Sequence, residues 1–304
     1  MRVIVPIVIV PGTPGVDTRL TTTNVAENDA TLWSAGTYNT GTQRLYNHKL
    51  YQVVASPSTT DQPDVGAAKV SPTWLDLGYA NRWEMFDAIV NSQTSNSGTI
   101  AVTITPGKAV NALALFNLVG TTVTVTMTDP IAGLVFNQTL QLQDNSAIVD
   151  GYTYCFEDII QRRDVVVTGM PSFINAVISV TIDAGVGTAK CGELVIGRAR
   201  TIGTALFGTG VGIQSYSTKT RDTYGNVTIV ARSSAKRTEF DVDIDTNLVD
   251  GVQNFLTDIE NEPCVFIGDE NRSSTIVYGF FKEFTILLED AGSSHCSLEV
   301  EGLT

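Results

Sequence analysis

Histidine, cysteine and positive charge are all scarce in this chain of 304 residues, and each shortage closes off a class of function. The two histidines, His48 and His295, lie outside any H-E-x-x-H or G-x-S-x-G signature, so zinc-hydrolase and serine-hydrolase chemistry have no support. The four cysteines, Cys155, Cys191, Cys264 and Cys296, are far apart and form no C-x-x-C pair. That spacing excludes a metal knuckle and makes a disulfide framework sparse for this length, so buried free thiols are expected and neither cofactor nor metal. Nineteen Lys and Arg face thirty-two Asp and Glu, a net charge of −13. The densest cationic runs are Arg162-Arg163 and Lys236-Arg237, too little to offset a field that repels a phosphate backbone; no nucleic-acid partner is expected.

Long apolar runs are missing as well. No stretch reaches the roughly 18 residues needed to cross a bilayer; the region Ala109 to Val119 is short and carries Asn111 and Asn117. Membrane insertion is therefore not expected. Arg2 to Val10 is apolar, but Pro6 and Pro11 interrupt it and no small-residue cleavage site follows, so it reads as an edge strand rather than a leader. Helical periodicity is rare too, the best case being Leu248, Val252, Phe255, Leu256 and Ile259, with Asp245, Thr246 or Asn247 as the cap. No repeat of 20–50 residues stands out, which argues against a propeller or solenoid.

What the sequence does contain is two-residue alternation. Thr121-Thr122-Val123-Thr124-Val125-Thr126-Met127-Thr128 alternates polar and apolar side chains, as do Ala101 to Thr105, Ala176 to Ile182 and Phe240 to Asp245. The fold class is therefore all-β: an N-terminal strand or arm (1–30), a small aromatic β module (31–78), a jelly-roll sandwich (79–199) and a C-terminal β domain (200–304) with one helix at about 247–260. Beyond Arg200, seven Lys and Arg stand against sixteen Asp and Glu, so most of the net charge is C-terminal and could form a docking face. Gly203 to Gly212 lacks the Lys-Ser/Thr of a phosphate loop and reads as a linker or assembly arm. Asp241, Asp243 and Asp245 resemble the start of a calcium loop, but Thr246 replaces its turn glycine, and outward strand carboxylates are the better reading.

The aromatic module runs Trp33 … Tyr38 … Gly41, then Leu45-Tyr46-Asn47-His48-Lys49-Leu50-Tyr51, and closes on Trp74-Leu75-Asp76-Leu77-Gly78. Over about 45 residues it resembles small carbohydrate-binding modules of the chitin-binding type, with Gln43 and His48 departing from that pattern. The resemblance implies sugar stacking on Trp33, Tyr38, Tyr46, Tyr51 and Trp74, because a flat ring covers the apolar face of a pyranose. Rings that form a miniature core are the competing role. Arg82 and Trp83 add a guanidinium fork and an indole for a sugar or partner, or else tie two modules together.

The run Trp74 to Asp87, the strings Gly210 to Val230 and Val277 to Phe284, and the ending Cys296 to Leu303 are similar to segments of tail-associated structural proteins of tailed bacteriophages, in which a chitin-binding-like module precedes a galactose-binding-like sandwich. That resemblance implies a non-enzymatic virion component of the tail tip or baseplate, made in the host cytoplasm. Its partners would be other tail proteins, further copies of itself, and bacterial surface glycan held multivalently. A purely architectural scaffold, and a tail glycosidase or depolymerase using two unplaced carboxylates, are the alternatives.

Overall fold

The structure, a computed structural model, describes residues 1–12, 19–145, 148–156, 158, 160–290 and 292–304. The chain is all-β, its strands pairing antiparallel around four apolar cores. Two sheets dominate. One has ten strands, in the order Val165–Thr168, Ala112–Phe116, Glu193–Thr201, Arg2–Pro6, Cys264–Ile267, Ile276–Leu288, Ser293–Gly302, Ser234–Asp245 and Thr204–Ala205, with Gly210–Ser215 also on Ser234–Asp245. The other has five: Gly133–Gln141, Thr122–Asp129, Val177–Cys191, Thr94–Ile104 and Leu20–Thr23. The five-stranded sheet and one end of the larger sheet face each other as a sandwich, filled by Ile100, Val102, Val123, Val125, Ile178 and Val180 from one side and Leu113, Leu115, Val167, Leu194 and Ile196 from the other.

Arg2–Pro6 is a central strand, not the edge expected for 2–10. It pairs with Glu193–Thr201 on one side (Val3↔Arg200, Pro6↔Gly197) and with Cys264–Ile267 on the other (Val3↔Phe266, Ile4↔Val265). Pro6 is tolerated because the second pairing ends at Ile4, so the proline lies where only one neighbour remains. Close approach there also needs a bare backbone: a Cβ on Gly197 would sit 2.0 Å from the Val5 carbonyl oxygen. The segment 1–30 is thus not a free arm, since Leu20–Thr23 pairs with Thr94–Ile104 as well. Likewise 199/200 is no break, because Glu193–Thr201 runs straight through it.

Period-two alternation distributes the shared strands between cores. Val3, Phe266 and Val277 point into a C-terminal core with Phe240, Val242, Ile244, Leu298 and Val300. Their neighbours Ile4, Val265, Ile267, Ile276 and Tyr278 point the other way, into a core with Ala112, Ala114, Phe116 and Val195. Phe116 and Tyr278 stack at 5.7 Å although three strands separate theirs, so the sheet curls strongly. Thr168 on its first strand reaches Glu270 beyond Cys264–Ile267, donating to Oε1 at 2.9 Å, and Lys236 pairs with Asp164.

The helix spans Val249–Asp258 and covers the C-terminal core with Val249, Val252, Phe255 and Leu256. Asp245 accepts a hydrogen bond from Asn247 N at 2.9 Å, opening a 3₁₀ turn, Thr246–Leu248, that leaves Leu248 exposed rather than in the apolar stripe. Asp241 and Asp243 alternate with buried Val242 and Ile244, as outward strand carboxylates should. Cys191, Cys264 and Cys296 are buried free thiols, and burial pushes Cys296 up to about 11; Cys155, by contrast, is exposed. If Arg2–Pro6 is central, Ile4→Ala should lower stability by about 2–5 kcal/mol in urea denaturation. Val70→Ala, on an exposed loop, should change it by less than about 0.5 kcal/mol, and equal effects would contradict the placement.

Candidate functional site

The aromatic module is an excursion between two paired strands of the sandwich, Leu20–Thr23 and Thr94–Ile104. It is built from a three-stranded sheet (Gln43–Tyr46, Lys49–Val53, Trp74–Tyr79), a two-stranded one (Tyr38–Asn39, Ser58–Thr59) and the short helix Pro63–Ala67. So small a unit has little apolar material, and its rings supply it. Trp74 is fully buried beside Tyr51 and Val53, with its indole N–H donating to the Asp61 carbonyl at 3.0 Å. Gly66 makes the room, since a Cβ there would lie 2.5 Å from Trp74 Cδ1.

The seven residues proposed from the sequence for glycan contact therefore separate. Tyr51, Trp74 and Trp83 are inside cores, and a ring with no open face cannot stack on a sugar. Trp33, Tyr38 and Tyr46 are half-buried. Trp33 meets Tyr46 edge-on at 5.5 Å, Tyr38 meets Trp74 at 5.7 Å, and the Arg44 guanidinium covers a face of Tyr38 at 4.8 Å. Arg82 is half-buried and turned to the joint, where its Nε donates to the Val25 carbonyl at 2.9 Å and Nη1 lies 3.8 Å from Glu27.

That joint holds the module to the sandwich. Asn47 and His48 form the two-residue hairpin turn with φ of 48° and 63°, the left-handed region that such a turn demands. Where the chitin-binding pattern has glycine, His48 carries a side chain that the joint uses: Nδ1 is 2.9 Å from Glu27 Oε1, and the ring meets Trp83 edge-on at 5.6 Å. Trp83 in turn belongs to the sandwich core with Met85. Arg82 and Trp83 thus tie module to sandwich, with Glu27 as the carboxylate partner.

Besides scattered residues such as Phe207, Ile131 and Val186, exposed aromatic and aliphatic groups gather on two features. The first is the short helix Gly151–Phe156, which displays Tyr152, Tyr154 and Phe156; their every-second-residue spacing in the sequence was the available signal. The second is an arm. Gly210–Ser215 pairs with Ser234–Asp245, and beyond it Thr218–Arg221 pairs only with Val227–Val230. Asp222 closes the hairpin by accepting from Tyr224 N at 2.9 Å and Asn226 N at 2.8 Å. Every residue of both hairpin strands is exposed, Ile229 to 61% and the turn residue Tyr224 to 91%. Lys219, Arg221 and Arg232 make this arm cationic, against the single acid Asp222, in a chain that is otherwise strongly acidic.

Three carboxyls, the buried Glu193 and the half-buried Glu84 and Asp87, have raised values. Burial, aided by Asp29 and Asp87, pushes Glu84 up to about 7. Burial, with the nearby Asp87 charge, pushes Glu193 up to about 9, despite a hydrogen bond from Ala88 N at 3.0 Å to its Oε2. Asp87 is itself raised by burial while accepting from Ser92 Oγ at 2.8 Å.

No protein-family model matches the chain, and no curated protein matches it. Among solved structures it is similar to a chitosan-binding module derived from a chitosanase/glucanase of Paenibacillus sp. IK-5, with a TM-score of 0.27 and 8% identity, covering 40% of this chain and 86% of that one.

The buried acid Glu193 sets a pH dependence. Its reference value is 4.5, so between there and about 9 the folded protein holds a proton that the unfolded chain has released. Stability from this group is whole below pH 4.5 and is lost as pH rises through about 9, by at most about 1.4 kcal/mol per pH unit. Glu193→Gln should flatten that slope in denaturation series from pH 5 to 9. An unchanged slope would mean that Glu193 is ionised in the fold.

Proposed function

We propose that the chain is a structural subunit of a bacteriophage tail, at the tip or baseplate, that joins copies of itself and other tail proteins into a rigid assembly. The observation that carries this reading is the arm. An isolated two-stranded hairpin is marginally stable in water, and one whose Val227, Ile229 and Val230 all meet solvent is a surface awaiting a partner. The cationic arm complements the acidic remainder of the chain, so a second copy is a fitting partner, and a heterologous contact of this kind builds a ring when the rotation between copies closes. The similarity of strings in three parts of the sequence to phage tail proteins supports the virion setting.

Within this reading the sugar-module-like part serves chiefly as scaffold, with Tyr51, Trp74 and Trp83 committed to packing. A multivalent glycan contact remains for the half-buried Trp33, Tyr38 and Tyr46. The chain is assigned no catalytic role, and its location is the virion after synthesis in the host cytoplasm.

The test has two parts. Sedimentation of the purified chain should show a closed oligomer that weakens as salt rises, and Ile229→Asp should leave a folded monomer with an unchanged melting temperature. Mass spectrometry and electron microscopy of the phage particle should find the chain in the tail. A monomer at every concentration and salt, together with absence from the particle, would sink the proposal.

A further inference from the structure

The curled sheet has a mouth. Phe116 pairs with Glu193 at one end of their strands, Pro6 and Pro263 flank the neighbouring pair at that same end, and Tyr278, opposite Val265, meets Phe116 across the curl. At that end lies a cavity of about 220 Å³ with apolar walls from Ile7, Ile9, Phe86 and Pro263. Two buried polar side chains interrupt the apolar lining, Glu193, exposed to only 4%, and Tyr278, exposed to only 5%, while the exposed Glu262 stands at its edge. Glu193 Oε2 is satisfied by Ala88 N at 3.0 Å. Among the described residues, neither Glu193 Oε1 nor the Tyr278 hydroxyl has a hydrogen-bond partner.

Neither atom is sealed off, so each can bond a molecule that enters this mostly apolar cavity. With Oε2 accepting, a protonated Glu193 carries its hydrogen on Oε1 and donates, and the tyrosine hydroxyl donates as well. The charged and titratable groups around the pair are Asp87, Cys191, Cys264 and Glu262, none of them cationic. An anion would be repelled here. A cation would gain only by ionising Glu193 in an apolar setting. An apolar cavity of about 150 Å³ holds benzene, so this one has room for a single six-membered ring or a chain of similar bulk.

We propose that the mouth of the curled sheet is a binding site for a small uncharged apolar molecule carrying one acceptor oxygen, such as a ketone or ester, to which Glu193 Oε1–H and the Tyr278 hydroxyl both donate. The site is separate from the arm, and the proposal does not depend on the tail reading.

The experiment uses the full chain at pH 7 with four probes of one ring size: cyclohexanone, cyclohexane, cyclohexylammonium and cyclohexanecarboxylate. Binding is read from the methyl resonances of Ile7, Ile9 and Val195. Cyclohexanone should bind tightest, with shifts confined to those methyls. Tyr278→Phe keeps the ring stacked on Phe116 and should weaken cyclohexanone about five-fold while leaving cyclohexane unchanged. Glu193→Gln retains an N–H donor and should keep most of the ketone affinity, whereas Glu193→Leu should lose it. The proposal is overturned if no probe moves these methyls, which would mean the mouth holds water alone. It is equally overturned if the ketone binds no tighter than cyclohexane, if the ammonium binds tightest, or if Tyr278→Phe weakens ketone and hydrocarbon alike.

Discussion

Side chains on a strand alternate between two faces, and along Arg2–Pro6 that alternation sends Val3 into the C-terminal core and Ile4 into the curled core, while Ile9 just beyond enters the sandwich. The backbone of the same strand bonds to Glu193–Thr201 on one side and to Cys264–Ile267 on the other. Remove it, and the larger sheet divides into a sandwich half and a C-terminal half, each with an open edge. The other placements follow from this shared strand. Because the sheet is continuous it can curl, and because it curls Phe116 can reach Tyr278.

The elements governed by local pattern were legible in the sequence. Thr122–Asp129 alternates half-buried and buried residues as its Thr/Val succession requires, and the apolar spacing from Val252 to Ile259 gives the helix Val249–Asp258. Pairings between distant residues were not legible. Pro6 suggested an edge because a proline breaks a ladder, yet it lies just past the residues that need two neighbours. The role of each aromatic ring was hidden for the same reason. Trp33 and Trp74 carry the same side chain in the same kind of turn-rich surroundings, and only tertiary packing leaves the first half-buried and the second sealed. Glu193 left a faint trace, an acid followed directly by Leu194, Val195 and Ile196 in a strand buried on both faces.

Apolar surface left open is the complement of that packing. The body closes rings such as Trp74, Trp83, Phe240 and Phe266 inside cores, yet the hairpin beyond Gly210–Ser215 and the helix Gly151–Phe156 keep theirs outside. The same chain therefore spends its aromatics on a rigid interior in one place and on contact surface in another, and the surface elements are those with the fewest partners of their own.

The aromatic module leaves the sandwich after Leu20–Thr23 and returns into Thr94–Ile104, two strands already bonded side by side. Tension applied through the body is thus carried across the ladder between those strands and along the larger sheet, bypassing the module altogether. Mechanically it hangs from the frame as an unloaded pendant, steadied by His48 against Glu27 and Trp83, and it can be exchanged or reshaped without altering the path that bears the force.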